Sequence, residues 1–348
     1  MVSKIVGVDI GNDVVRAVEV ADFDKPNPTV LRYRQAALPV GAVLRGEVAE
    51  PNTVAEALKQ LWKSGGFTSK RVVLGVGNQR VFARELTVPK APLKHIRESL
   101  PFQVQDMLPV PVADALLDFY PIAEVGTDHG PGIRGLLVAA VKEAVLNQVT
   151  AARLAGLTVE DVDLIPFALT RVLISRPGVR GGAVLIDIGA NTTSVVMTAE
   201  GVPQFVRIIP AGGEDVTRAL QSSLGLNADD AGSAKRRLGL SAEVGPADSE
   251  IAEVIHRTTG ELLNSLRNTV SFFANTRPDR PIGRIVLGGG GSLLGGLDEH
   301  LSHVTGLPVS MGDALAAVRL SRKLTAADLR RDRVAIGTAL GLAVGSAA

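Results

Sequence analysis

The chain has 348 residues, enough for two domains at about 150 residues each. Lys and Arg number 37 against 36 Asp and Glu, so the net charge of +1 removes the bulk electrostatic case for a nucleic-acid binder. The absence of cysteine excludes disulfides, thiolate metal sites and Cys nucleophiles, and 3% aromatics leaves little to stack on bases. Hydrophobic residues at 46% supply a core built mainly from Ala, Val, Leu and Ile. MVSKIVGVDIG lacks the apolar stretch of a signal peptide and no run reaches the ~18 apolar residues that span a bilayer, so a soluble cytoplasmic protein is expected.

Residues 6–20, VGVDIGNDVVRAVEV, read as a strand, a tight turn at the glycine and a returning strand. A third strand is expected over 28–38. An amphipathic helix over 53–66 stops at Gly65 and Gly66, and RVVLGVG (71–77) reads as a buried strand. The pattern then changes: a strand over 81–88, a helical stretch with Pro101 over 91–108, two paired strands over 115–123 and 135–141 around a Gly-rich loop, and a helix over 142–157. A block of this order predicts a small α+β insert. TVEDVDL (158–164) reads as a strand, and the helix over 166–176 opens at Pro166.

Residues 183–197, AVLIDIGANTTSVVM, echo the first hairpin, with Asp187 178 positions after Asp9. Two copies half a chain apart predict two related lobes. A strand over 204–210 leads to Gly212 and Gly213. Helices follow, the longest over 250–275 with one apolar face, and Asp229-Asp230 reads as a helix start. RIVLGGGGSLLGGLDEHLSHV (284–304) reads as strand, glycine loop and helix. A surface helix is expected over 322–333 and a buried closing helix over 334–348. His300 and His303, three apart on a helix, lack a third ligand and read as a solvated face.

The chemistry is expected in three glycine turns, each following a buried strand. Gly11, Gly189 and the run Gly288 to Gly291 let backbone approach a ligand closely. Backbone N–H groups at such turns cradle phosphates, helped by the Asn191 amide and the Thr192 and Thr193 hydroxyls. Asp9 and Asp187, at strand ends, are placed to hold Mg²⁺ through water. No GxxxxGK[ST] motif is present, which excludes a P-loop, and neither GxSxG nor a Ser/His/Asp arrangement is visible.

The order of Asp-Ile-Gly hairpin, insert, second Asp-Ile-Gly hairpin and glycine loop resembles the actin/heat-shock-ATPase/sugar-kinase superfamily. Residues 98–122, 136–173, 203–220 and 284–297 resemble, more closely, the PilM family of type IV pilus assembly, itself similar to the division protein FtsA. The resemblance implies an α/β, two-lobed actin-like (ribonuclease-H-like duplicated) fold. The implied divisions are the first lobe (1–78 and 158–178), the insert (79–157), the second-lobe core (179–213 and 281–330), its outer subdomain (214–280) and a closing helix (331–348). It implies a site for ATP or ADP with Mg²⁺ formed by Asp9, Gly11, Asn12, Asp13, Arg16, Asp187, Gly189, Asn191, Thr192, Thr193, Gly212, Gly213, Glu214, Lys235, Arg236, Gly288, Gly289, Gly290 and Ser292. The implied function is a nucleotide-binding platform at the cytoplasmic face of the inner membrane. Its partner would be the N-terminal tail of a PilN-like single-span protein, docked beside the insert, with pilus assembly ATPases as further partners.

Some positions depart from the family pattern. The first turn reads Asn12, Asp13, Val14 and Arg16, where relatives carry a serine run and a lysine. Gly232 stands where related folds place an acidic residue near the ribose, and Ile165 where some place a polar group that orients water. ATP binding weaker than in relatives, with slow or absent hydrolysis, is therefore expected. The alternatives are an active ATPase or kinase, with Asp13 or Glu214 as the carboxylate, and an FtsA-like filament former.

Overall fold

The computed structural model describes residues 3–345 except 129, 242, 243, 326, 328, 330 and 331. In chain order the elements are β1 (Lys4–Ile10), β2 (Val14–Ala21), β3 (Thr29–Ala37), the short hairpin β4 (Val43–Leu44) and β5 (Glu47–Val48), α1 (Pro51–Gly65), β6 (Arg71–Val76), β7 (Val81–Pro89), α2 (Leu93–Gln103), β8 (Ala115–Thr127), β9 (Gly130–Val141), α3 (Lys142–Leu154), β10 (Thr158–Leu164) and α4 (Ile165–Thr170). The second half continues with β11 (Gly182–Ile188), β12 (Thr193–Ala199), β13 (Val202–Ile209), α5 (Gly213–Leu224), α6 (Ala228–Leu238), α7 (Ser249–Thr276), β14 (Ile282–Gly288), α8 (Leu297–Thr305), β15 (Val309–Met311), β16 (Arg319–Leu320) and α9 (Gly337–Ala343).

The two halves build the same five-stranded sheet, which β16 extends in the first half by pairing parallel to β3. The first runs β10-β6-β1-β2-β3-β16 and the second β15-β14-β11-β12-β13. In each, the first three strands are an antiparallel meander and the next two add parallel to the first. The turns match in detail: Gly11 N–H donates to the Val14 carbonyl at 3.0 Å, and Gly189 N–H to the Thr192 carbonyl at 2.9 Å. Apolar alternation explains the strands, since β1 and β11 bury nearly every residue between helices on one face and the shared core on the other.

Between β6 and β10 the chain leaves the first sheet to form a separate one, ordered β7-β9-β8 with α2 packed against it. The Gly-rich segment expected to be a loop is largely strand, with Val125 opposite Gly132 and Gly126 opposite Pro131. Glycine is required in the central strand because a Cβ at Gly135 would sit 2.3 Å from the Tyr120 carbonyl oxygen. Helix α3 packs on α1 and fills the outer core of the first lobe with Ala151 and Ala152. The insert sheet also reaches the second lobe. Glu85 on β7 receives Arg134 at 3.5 Å and Arg277 from the end of α7, while Gln204 on β13 accepts from Arg134 and Arg280.

A shared core lies between the two large sheets, and α4 and α9 run through it. The approach is backbone on backbone. A Cβ at Gly7 of β1 would fall 1.9 Å from the Ala339 carbonyl oxygen of α9, and one at Gly341 of α9 would fall 2.3 Å from that of Ala168 in α4. After α4 the helix widens into a π-type turn over Arg171–Ser175. There Arg171 pairs with Asp163 and donates to the Gly341 carbonyl at 3.1 Å, and Arg176 donates to the Val344 carbonyl at 2.9 Å. The expected surface helix over 322–333 does not form in its described residues, which lie in turns or irregular backbone; 326, 328, 330 and 331 lie outside the described set. Leu324 and Leu329 both enter the shared core, and a spacing of five does not place two residues on one helical face.

Glu19 of β2 is fully buried opposite Arg32 of β3. It pairs with Arg32 and accepts from the Thr68 amide at 2.9 Å, the Thr68 hydroxyl at 2.6 Å and the Ser69 amide at 2.8 Å. Burial pushes its carboxyl up, but the hydrogen bonds from Thr68, Ser69 and Arg32 outweigh it and hold the group below the ordinary carboxylate value. A lowered native value adds stability above the unfolded-state value and loses it as pH falls through both. Glu19→Ala is expected to cost about 3 kcal/mol in urea unfolding at neutral pH. Between about pH 5 and 3 the wild type should lose stability faster than Glu19→Gln; parallel losses would show that Glu19 is not the titrating group.

Candidate functional site

The tips of the two Asp-Ile-Gly turns face one cavity of about 490 Å³ between the lobes, within the usual size of a small-molecule site. Of the residues expected there, Asp9, Gly11, Asn12, Asp13, Arg16, Asp187, Gly189, Asn191, Thr192, Gly213, Glu214, Lys235, Arg236, Gly289 and Gly290 line it. Thr193, Gly212, Gly288 and Ser292 do not. The Thr193 hydroxyl donates to the Ala211 carbonyl at 2.7 Å and that of Ser292 to Gly289 at 2.6 Å. Gly212 packs against the backbone of Gly189 and Ala190, and a Cβ at Gly288 would press on the Asp187 carboxylate at 2.9 Å. These four shape the wall from behind.

The two carboxylates set the electrostatics. Burial raises the Asp187 carboxyl to about 7, with the Asp9 charge adding to the rise and Arg16 opposing it. Asp9 is also raised by burial, against the pull of Arg16, whose Nη1 lies 3.3 Å from Asp9 Oδ2. Each carboxylate therefore disfavours the charge of the other, and one guanidinium on one side offsets this only in part.

The turns are braced from outside. The amides of Gly213 and Glu214 at the start of α5 donate to the Gly189 and Ala190 carbonyls at 2.9 and 2.8 Å, so these donors are committed to shaping the second turn. The Asn12 side chain accepts from the Gly46 amide at 2.9 Å, which fixes the β4–β5 hairpin beside the first turn. Asp13 is exposed at the rim. Lys235 of α6 donates to the Gly213 carbonyl and the Thr217 hydroxyl, both at 2.8 Å, and burial pulls its ammonium below the ordinary value. Arg236 lines the cavity, whereas Arg237 turns out to pair with Asp248. Leu293 and Leu294 supply an apolar surface beside them.

Sequence reasoning missed part of the lining: Gly46, Gly75, Gly77, Asn78, Gln148 and the stretch before α9. None of these sits in a motif, and only the fold brings them together. Four of the six buried side-chain polar atoms without a partner among the described residues belong to the lining: Arg16 Nε, Asn78 Nδ2, Gln148 Oε1 and Asn191 Nδ2. A cavity with unspent donors and an acceptor fits a polar ligand. No cluster of three His, Cys, Asp or Glu able to hold a metal occurs among the described residues. A cation here would draw on Asp9, Asp187, water and oxygens of the ligand.

Two sheets whose five core strands share one order, meeting at a cleft where paired glycine turns face each other, define a two-lobed protein of the actin-like ATPase class. Within that class, residues 7–347 match the family model described as type IV pilus assembly protein PilM, and the chain belongs to that family. It superposes on a solved PilM-PilN type IV pilus biogenesis complex with a TM-score of 0.85 and 29% identity, over 98% of this chain and 97% of that one. The ethanolamine utilization protein EutJ of Carboxydothermus hydrogenoformans (TM-score 0.58, 16% identity, 98% and 89% covered) shares the fold. So does MreB5 of Spiroplasma citri bound to AMPPNP (0.52, 12%, 88% and 91%). Curated relatives include cell division FtsA proteins, such as those of Bacillus subtilis strain 168 (29% identity, 35% of this chain, 28% of the relative) and Neisseria meningitidis serogroup B (24%, 65% and 61%). The chain thus spans less than two thirds of the length of these FtsA relatives. No helix among the described residues is long and apolar enough to cross a membrane.

The third glycine loop offers a direct check. Gly289 has φ +78°, and a Cβ there would lie 2.3 Å from the Ile188 carbonyl oxygen. Gly289→Ala is expected to lower stability by about 3 kcal/mol in urea unfolding, whereas Gly290→Ala, with open space at its Cβ, should change it by less than about 1 kcal/mol.

Proposed function

We propose that this chain is a nucleotide-binding platform of type IV pilus assembly that holds the N-terminal cytoplasmic tail of a PilN-like single-span inner-membrane protein. The observation that carries the reading is the convergence of Asp9 and Asp187 from duplicated turns on one cavity in a member of this family. The solved relative is a PilM-PilN complex, which supports the choice of partner. An extended tail held beside the insert draws affinity from backbone hydrogen bonds and a few buried anchors. The protein then lies at the cytoplasmic face of the inner membrane through its partner, with the pilus assembly ATPases as further contacts.

The ligand of the cavity is ATP or ADP with Mg²⁺. The cation supplies the positive charge that two buried carboxylates and a polyphosphate require. Asp9 and Asp187 hold it through water, and Arg16 screens Asp9. The two glycine turns take the phosphates with the Asn191 amide and the Thr192 hydroxyl, while Lys235, Arg236 and Leu293 face the nucleoside. Exposed Asp13 adds negative charge at the phosphate end and weakens binding. Ile165 stands in the lining where a polar group would orient the attacking water and supplies none, so hydrolysis is slow or absent. The same reading divides the chain into two lobes with an insert over 79–157, whose last helix, α3, packs on α1 of the first lobe.

Isothermal titration of the chain with a synthetic PilN-like tail peptide is expected to saturate at one to one; no heat with or without ATP-Mg²⁺ would remove the platform reading. Asp187→Asn should weaken ATP-Mg²⁺ binding at least tenfold and leave peptide binding to the nucleotide-free protein unchanged. Phosphate release at the ~1–100 per second of kinases would show an active phosphotransferase instead.

A further inference from the structure

At the first-lobe end of the cavity lies a pair of groups that no motif marks. Asn78 follows β6 and Gln148 sits on α3; each is 2% exposed, and both line the cavity. Asn78 Oδ1 accepts from the Arg80 amide at 2.9 Å, which fixes the orientation of the carboxamide, and its Nδ2 is left without a partner. Gln148 Oε1 is likewise unpartnered. One buried donor and one buried acceptor, both unspent, are costly in a core, and together they match the hydrogen-bonding pattern of one water molecule.

Asn78 lies beside the first turn, and Gln148 is on α3, which packs against β6, the strand that Asn78 follows. A Cβ at Gly46 would touch Asn78 Cβ at 3.3 Å, and the Gly46 amide is held by Asn12, the residue after Gly11 of the first turn. Ile165 covers Gly75 and Gly77 at distances of 2.8 and 2.9 Å from their added Cβ positions, so the floor next to Asn78 is otherwise apolar.

We propose that Asn78 and Gln148 are positioning residues that hold the water attacking the terminal phosphate of bound ATP. This rests on the nucleotide reading above. The water oxygen forms a bond to the γ-phosphorus, the bond from that phosphorus to the β,γ-bridging oxygen breaks, and ADP leaves with the electron pair. Gln148 Oε1 accepts a hydrogen bond from the water but is too weak a base to take its proton, which passes to a phosphoryl oxygen. Orientation without a base gives turnover that is slow but measurable.

The test compares wild type with Gln148→Leu, Asn78→Leu and Gln148→Glu, measuring ATP-Mg²⁺ affinity by titration, single-turnover phosphate release and thermal stability. The expected result is unchanged affinity, unchanged or raised thermal stability in Gln148→Leu, release slowed at least tenfold in both leucine variants, and release faster than wild type in Gln148→Glu, which adds a base. Normal release in the leucine variants, or wild-type binding with no release at all, overturns the water-holding role and leaves the nucleotide reading standing. No ATP binding by wild type overturns both. Should Asn78→Leu fail to fold, Gln148→Leu and Gln148→Glu decide alone.

Discussion

The contact of α9 with β1 at Gly7, and with α4 at Gly341, is the constraint on which the structure depends. Two sheets that each bury both faces cannot form one cleft unless something thin separates them. Two helices fill that space, α9 against the first sheet and α4 against α9, β12 and β13, and glycine makes the contacts of α9 with β1 and with α4 backbone on backbone. This sets how close the first strands of the two lobes lie, and Asp9 and Asp187 end those strands. The cavity is therefore a product of the wedge between the sheets as much as of the turns that line it. Arg171 and Arg176 hold the same wedge by its last carbonyls, which explains why two guanidinium groups are drawn toward the C-terminal end of a short helix.

Once the strands are this close, their terminal carboxylates are forced into a shared desolvated space. A protein selected only for stability would replace one of them. Keeping both, with a single guanidinium on the Asp9 side, stores a repulsion that a cation or a proton relieves. The unspent amide and guanidinium atoms around them add to this. The site costs stability in isolation, a cost that a charged, polar occupant would offset.

Much of this was readable in the sequence, for a physical reason. A strand buried on both faces and stopped by Asp-Ile-Gly has few alternative structures, and its repetition after 178 residues required a duplicated sheet. The lining contributed by the turns followed directly. Thr193 and Ser292 were harder, because a hydroxyl near a glycine turn serves a ligand or a neighbouring carbonyl equally well, and both bond to carbonyls. Gly212 and Gly288 illustrate the second use of glycine, close packing behind a site. Asn78 and Gln148 were invisible because they are 70 residues apart and carry no local pattern; only the stacking of α3 on β6 puts them at one wall. The Gly-rich tip of the insert misled in the other direction, since glycine in the middle of a narrow sheet reads as a loop until its neighbours are known.

The polar cluster of Glu85, Arg134, Gln204, Arg277 and Arg280 gives the insert an unexpected mechanical position. It belongs to the first half by sequence and is fastened to the second half in space, like a strut across a hinge. The lobes cannot swing apart about α4 and α9 without shearing those contacts. A cargo seated on the insert would feel the angle between the lobes as a change in its own footing, and a load on that cargo would be transmitted back to the jaws of the cleft.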